Sequence, residues 1–213
     1  MFLGSSICHQ IAERSYYLGD LQMPVCARCI GIHFGFFVSA AFLLVGPKRY
    51  CSVILRPRQL MVLGVVMAIF LVDGGLSYLE ISPSDNLRRT LSGLALGVPL
   101  PFFLVPFINS FVFPGRNGNR TIETKTDWLW LPGLYALGAG AILLADGNEY
   151  LFYLVSVIGL VGLFCFFSAN ASLVALLGFD RSRISPRKRL LLAMVVTLGA
   201  LMLVATVRQS LYG

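Results

Sequence analysis

Residues 59–80 read QLMVLGVVMAIFLVDGGLSYLE, a stretch with two carboxylates, Asp73 and Glu80, and no lysine or arginine. A helix that crosses a bilayer needs ~20 mostly apolar residues, whereas a helix on the surface of a soluble domain shows a charged face that this stretch lacks. Working outward, five more runs qualify. Spans are predicted at about 29–46, 59–80, 88–113, 128–145, 149–178 and 190–210. Charged residues are 13% of the chain, against ~25% in soluble domains, too few to solvate a globule. Hydrophobic residues are 57% and mean hydropathy is +0.78, so lipid is the solvent that fits. The expected fold is all-α: a polytopic membrane helix bundle of about six transmembrane helices. One membrane domain takes up residues 1–213, with a Cys/His segment over 1–28, a motif-bearing half over 29–113 and a generic membrane half over 114–213.

Turn-forming residues fall between the runs: Gly46-Pro47, Pro57, Ser82-Pro83-Ser84-Asp85, Pro114-Gly115, Asp146-Gly147-Asn148 and Ser185-Pro186. Basic residues then sort by side. Alternate loops carry Lys48, Arg49, Arg56 and Arg58, then Arg116, Arg120 and Lys125, then Arg181, Arg183, Arg187, Lys188 and Arg189. Only Arg14, Arg28, Arg88, Arg89 and Arg208 fall on the other side. Lys and Arg are retained on the cytoplasmic side, so both termini are expected outside, in a multi-pass cell (inner) membrane protein. The same asymmetry accounts for the net charge of +7 and removes the reason to invoke nucleic acid. Residues 1–28 have no basic stretch followed by an apolar core and a small-residue cleavage site, so no leader is expected. The thirty-residue run 149–178 is longer than a ~30 Å core requires and implies tilt or overhang. Splitting it in two would break the charge alternation.

The first candidate site precedes span one. Cys8-His9-Gln10 is followed by Glu13-Arg14-Ser15 and by Pro24-Val25-Cys26-Ala27-Arg28-Cys29. Thiolate and imidazole are the ligands zinc prefers, and Cys-x-x-Cys is a common chelating spacing. Pro24 suits the first turn of a helix, which would put Cys26, Cys29 and His33 on one face. Along such a helix Cys29 and His33 are ~6 Å apart, but Cys26 and His33 ~10.5 Å, a strain on one tetrahedral centre. With both cysteines ligating, His9 is the better fourth ligand beside Cys8. Two other readings stay open. A Cys-x-x-Cys at a helix start has stabilised thiolates suited to disulfide exchange, and an outward-facing segment can hold a structural disulfide.

The second candidate site flanks the loop after span two. Asp73 stands inside an apolar helix, where a carboxylate is costly and implies a partner, here Arg88 or Arg89. Asn86, Arg89, Gly93 and Gly97 form a stripe at the start of span three. Gly93/Gly97, like Gly31/Gly35 in span one, is a small-xxx-small pair that lets helices approach closely. A buried ion pair that only fixes packing is the plain alternative for Asp73. Elsewhere, Ser168, Asn170 and Ser172 suggest hydrogen bonds between helices. Pro99, Pro101 and Pro106 suggest a broken span three, and Trp128 and Trp130 an interfacial belt. Cys51 and Cys165 read as isolated small apolar residues.

In this order, the two sets of residues resemble a family of uncharacterised prokaryotic membrane proteins, DUF2085. The resemblance rests on Cys8-His9-Gln10, Glu13-Arg14-Ser15, Pro24 to Cys29 with Gly31, Asp73-Gly74, and Asn86 to Arg89 with Gly93 and Gly97. It covers roughly residues 7–100. Ala12, Ile30 and His33 stand where the family pattern has proline, threonine and an aromatic residue. It implies no activity, only that the two motifs belong together.

The expected function is an outward-facing transition-metal site, most simply zinc, held by Cys8, His9, Cys26 and Cys29. Asp73, Asn86 and Arg89 would support it or touch substrate, with Asp73 as a candidate general base. The two groups are expected to line one cavity at one depth. The rivals are a thiol–disulfide oxidoreductase passing electrons to a quinone, and a transporter or assembly factor with a structural disulfide. Expected partners are the bilayer and a small-molecule, lipid or quinone ligand.

Overall fold

A computed structural model describes residues 2–113, 118–178 and 184–212. After a helical turn, α1 (Phe2–Ser5), come a one-turn 3-10 segment (Ala12–Arg14) and a two-stranded hairpin, β1 (Tyr17–Leu18) and β2 (Leu21–Gln22). Helices α2 (Ala27–Val45) and α3 (Pro57–Tyr78) follow. The third run is two helices, α4 (Asn86–Gly97) and α5 (Leu100–Val112); α6 (Trp130–Leu144), α7 (Glu149–Gly178) and α8 (Pro186–Tyr212) complete the order. Among the described residues, six helical segments are long and apolar enough to cross a membrane, within a few residues of the expected windows. The small hairpin was not foreseen: Gly19, at φ +57°, makes its turn. Pro99 and Pro101 interrupt the third run where expected, because proline removes a helical donor and crowds the preceding turn.

Helix α2 is the centre of the bundle and packs against α4, α5, α6 and α7. Its tightest neighbour is α4. A Cβ added at Gly31 would stand 2.5 Å from the Thr90 carbonyl oxygen, and one at Gly93 or Gly97 would strike the carbonyl of Arg28 or Ile32. Both small-xxx-small pairs therefore lie in one backbone-to-backbone crossing. By contrast, α3 buries only Leu63 and Asp73 and packs on α4. Its exposed Val65, Leu71 and Val72 are what a lipid-facing helix presents. Asn170 and Ser172 of α7 serve the helix's own backbone instead of bridging helices. Asn170 Nδ2 donates to Phe166 O at 2.7 Å and Ser172 Oγ to Ser168 O at 2.6 Å.

The two ends differ. At one end, loops 46–56 and 118–127 meet. Lys48 pairs with Asp127 at 3.1 Å, Asn109 Nδ2 donates to Arg49 O and Cys51 O, and Cys51 Sγ donates to Arg120 O. The Arg187 guanidinium, at the start of α8, stands 5.9 Å over the Phe113 ring. Cys51 is thus a buried loop anchor rather than an isolated apolar residue. At the other end Arg208, near the close of α8, donates to Ser5 O and Cys8 O, which joins the two termini. Pro114-Gly115, Arg116, Arg181 and Arg183 lie outside the described residues.

Basic loops gathered at one end and both termini at the other is what six crossings require. A reporter fused after Arg187 should be cytoplasmic and one at Asn148 external. Activity of both fusions in the same compartment would contradict six crossings.

Candidate metal centre

The amino-terminal segment is folded by its own polar side chains. Gly4 sits so close to Pro24 that a Cβ would strike the Pro24 carbonyl, and Cys8 N donates back to Gly4 O at 3.0 Å. Gln10 adopts φ +49°, a left-handed conformation that costs a non-glycine residue energy. It is held there by donation from its Nε2 to Pro24 O and by acceptance at its carbonyl from Gln22 Nε2, both at 2.8 Å. The strained turn aims the Gln10 N–H at Cys8 Sγ, 3.4 Å away, and the Cys26 N–H reaches the same sulfur at 3.1 Å. Two backbone N–H donors converge on this one sulfur.

Helix α2 begins at Ala27, so Pro24 precedes it instead of standing in its first turn. Cys26 is its N-cap, extended at φ −66°, ψ 163°, and Cys29 lies in the first turn. This bend lets the Cys26 sulfur turn back toward Cys8. The sulfurs of Cys8, Cys26 and Cys29 all lie within 4.8 Å of one another. Donation from Cys29 and Cys8, and then from the backbone N–H groups of Cys29 and Arg28, holds the Cys26 thiol far below its ordinary value. Donating toward Cys26 pushes the Cys8 thiol up. Among the protein's own groups, one negative charge is all this trio accommodates easily. A cation at its centre would remove that limit, because ligation favours the thiolates.

His9 is exposed and falls outside the three-sulfur group, although it lines the same small cavity, about 120 Å³, with Cys8, Gln10, Arg14, Cys26 and Cys29. His33 points elsewhere. It is buried, with its ring 5.4 Å from that of Phe166, and its Nδ1 has no hydrogen-bond partner among the described residues. The single-face arrangement of Cys26, Cys29 and His33 is not what the chain adopts, because Cys26 lies outside the helix.

Asp73 is buried and its oxygens are occupied. Arg28 Nη2 donates to Oδ2 at 2.6 Å, Ser92 Oγ donates to Oδ2 at 2.7 Å, and Arg88 Nε stands 2.6 Å from Oδ1. Of the two expected partners, Arg88 pairs with Asp73 and Arg89 does not. The partner that sequence reasoning missed is Arg28, the residue between the two cysteines of Cys26-x-x-Cys29. Its position in the motif was the available signal, since the middle of a Cys-x-x-Cys at a helix start must project away from the sulfurs. Arg89 instead lies in the electrostatic neighbourhood of Arg14, Arg28, Cys26 and Asp73.

Asn86 holds the segment down. Its Nδ2 donates to Ser15 O at 3.1 Å, and the Tyr16 hydroxyl lies 2.9 Å from Thr90 Oγ1 and donates to Asn86 O at 3.2 Å. The expected single cavity is two. One holds the sulfurs; the other, about 550 Å³, is lined by Asp73, Asp85, Arg88 and Ser92 among apolar groups. Arg28 is the physical link between the two sets of residues, because its backbone belongs to the cysteine turn and its guanidinium pairs with the α3 carboxylate.

A family model described as a predicted membrane protein, DUF2085, matches residues 8–103, a stretch that begins on Cys8 and contains every residue of both sets. An uncharacterised protein of Methanocaldococcus jannaschii is 29% identical over 109 residues, covering 51% of this chain and 68% of its own. An uncharacterised protein of Methanothermobacter thermautotrophicus is 31% identical over 94 residues, 44% of this chain and 80% of its own. No solved structure matches the chain.

Proposed function

For this chain, which belongs to the DUF2085 family of predicted membrane proteins, we propose a transition-metal site, zinc by preference, on the external face of the membrane. The observation that carries this reading is three cysteine sulfurs mutually within 4.8 Å, one of them receiving two backbone N–H groups. Soft thiolate donors in a cluster suit zinc better than the hard cations. With three protein ligands a bound zinc keeps a fourth position, where it would polarise a substrate or water. His9, on the rim of the same cavity, can instead close the site and make it structural. Arg14, Arg28 and Arg89 bring positive charge to what three thiolates and a dication would leave as a net anion. Asp73 acts through Arg28 as a positioning residue, and Asn86 positions the Ser15–Tyr16 stretch. Neither is placed as a proton acceptor.

The test is elemental analysis of the purified full chain. About one zinc per chain is expected, lost in the Cys26→Ser/Cys29→Ser pair and in Cys8→Ser. The thiol-exchange reading draws on the depressed Cys26 thiol at a helix start. Purified protein free of metal, with Cys26 trapped in mixed disulfides in cells, would overturn the metal reading in its favour.

A further inference from the structure

Of the basic residues on the side that is poorer in them, Arg14, Arg28, Arg88 and Arg89 stand in the two motifs. The remaining one, Arg208, lies 200 positions from Cys8 and belongs to neither. A cation kept on that side of a membrane protein calls for a local reason. The last helix supplies it. Arg208 Nη1 donates to Ser5 O at 2.7 Å and to Cys8 O at 2.8 Å. Ser5 closes α1, and the carbonyls at a helix end have no partner within the helix, so a guanidinium suits them.

The three cysteines are not held equally. Cys29 lies within α2 and Cys26 caps it, so the central helix of the bundle fixes both. Cys8 belongs to no helix or strand. Its amide donates to Gly4 O at 3.0 Å, inside its own short turn. Its sulfur accepts from the Gln10 and Cys26 amides, but sulfur is a weak acceptor. The bond from Arg208 to its carbonyl is charge-assisted, about twice as strong as a neutral one. This is the strongest tie on the Cys8 backbone, and it comes from another helix. Helix α7 packs against both α2 and α8, so the path α2–α7–α8 returns to the cysteines through Arg208.

We propose that Arg208 is a positioning residue of the metal centre, which sets where the Cys8 sulfur stands relative to Cys26 and Cys29. It thereby decides whether two sulfurs or three reach one ion. The carbonyl that Arg208 holds and the sulfur that would ligate belong to the same residue, so a shift of one shifts the other. The consequence for metal rests on the metal reading above; the geometry rests on the bonds to Ser5 O and Cys8 O alone.

The experiment compares the wild type, Arg208→Gln and Arg208→Lys as full chains in neutral detergent. Cobalt(II), added to metal-free protein, reports its thiolate ligands through sulfur-to-metal charge-transfer absorption. Arg208→Gln should show roughly two-thirds of the wild-type intensity, two sulfurs in place of three, and bind zinc about 10–100-fold more weakly. Arg208→Lys keeps the charge on a shorter side chain and should recover part of both. It also carries the test should the glutamine variant not accumulate, since its cobalt spectrum should still fall below the wild type. Without metal, a maleimide should label the buried Cys8 faster in Arg208→Gln, with Cys26 and Cys29 unchanged. A three-sulfur spectrum in Arg208→Gln overturns the proposal, even if the variant unfolds earlier or binds zinc less tightly. Arg208 would then only staple the termini or lend its charge. A wild type that takes neither cobalt nor zinc overturns the metal reading. Labelling then judges whether Arg208 places Cys8, and equal labelling of Cys8 in wild type and variant overturns that too.

Discussion

Asp73→Asn should lower thermal stability sharply and weaken metal binding at a site it does not touch. The carboxylate faces Arg28 and Arg88 at 2.6 Å each, and its side chain is 6% exposed. Removing one partner of a buried pair costs about 3–5 kcal/mol, because the remaining charge keeps its desolvation penalty. Arg28 carries most of this, since its side chain is 21% exposed against 40% for Arg88, which water can still reach. The loss falls on a weakly held element: Asp73 is one of only two buried residues on α3. Released from Asp73, Arg28 no longer fixes the turn between Cys26 and Cys29. Metal affinity should fall by about the 10–100-fold typical of losing a residue that orients a ligand. Competition titration with a zinc chelator and thermal unfolding read the two effects separately. Unchanged metal affinity with reduced stability would mean that Asp73 only packs α3. Ser92→Ala removes one hydroxyl donor to the carboxylate and should cost about 1.5–3 kcal/mol, less than the loss of the charge.

The spans were legible because lipid imposes length and apolarity on each segment separately, with no need to know its neighbours. The prolines of 99–106 announced a broken helix for an equally local reason. The partners of Asp73 were half legible. Arg88 is a short loop away in sequence, but Arg28 belongs to a different helix, and only the α2–α4 crossing brings it within reach. The three cysteines were legible as a group because ligand chemistry selects residue types. The place of His9 and His33 was not, because it depends on whether Cys26 lies inside α2 or caps it. One residue of helix start decides which way that sulfur points. The strained turn at Gln10 was invisible too: glutamine carries no signal for a positive φ, which here is imposed by bonds to Pro24 and Gln22.

Gly93→Leu and Gly97→Leu should prevent the bundle from assembling, and even Gly93→Ala should be severe. At these positions the space a side chain needs is occupied by backbone, the carbonyls of Arg28 and Ile32. A neighbouring side chain can rotate away; a carbonyl in the middle of a helix cannot move without the whole helix. Overpacking a core costs about 1–3 kcal/mol where side chains can shift, and more is expected where two backbones must separate. The crossing is reciprocal, since Gly31 meets the Thr90 carbonyl from the other side, so α2 cannot relieve the strain by turning. The damage should also spread to the metal centre. The carbonyl under Gly93 belongs to Arg28, and displacing it moves Cys29 away from the sulfurs it faces and Arg28 away from Asp73. Zinc content should therefore fall together with the yield of folded protein. The contrast lies in glycines of the same helical class with open space around them. Gly64 and Gly140 have nothing within 4 Å of an added Cβ, and alanine there should be neutral or stabilising by about 0.5–1 kcal/mol. Thermal unfolding in detergent should rank Gly64→Ala and Gly140→Ala at or above the wild type and Gly93→Ala far below it. A Gly93→Leu protein that unfolds at the wild-type temperature would show that α2 and α4 do not touch there, and the placement of Arg28 between the two sets of residues would fall with it.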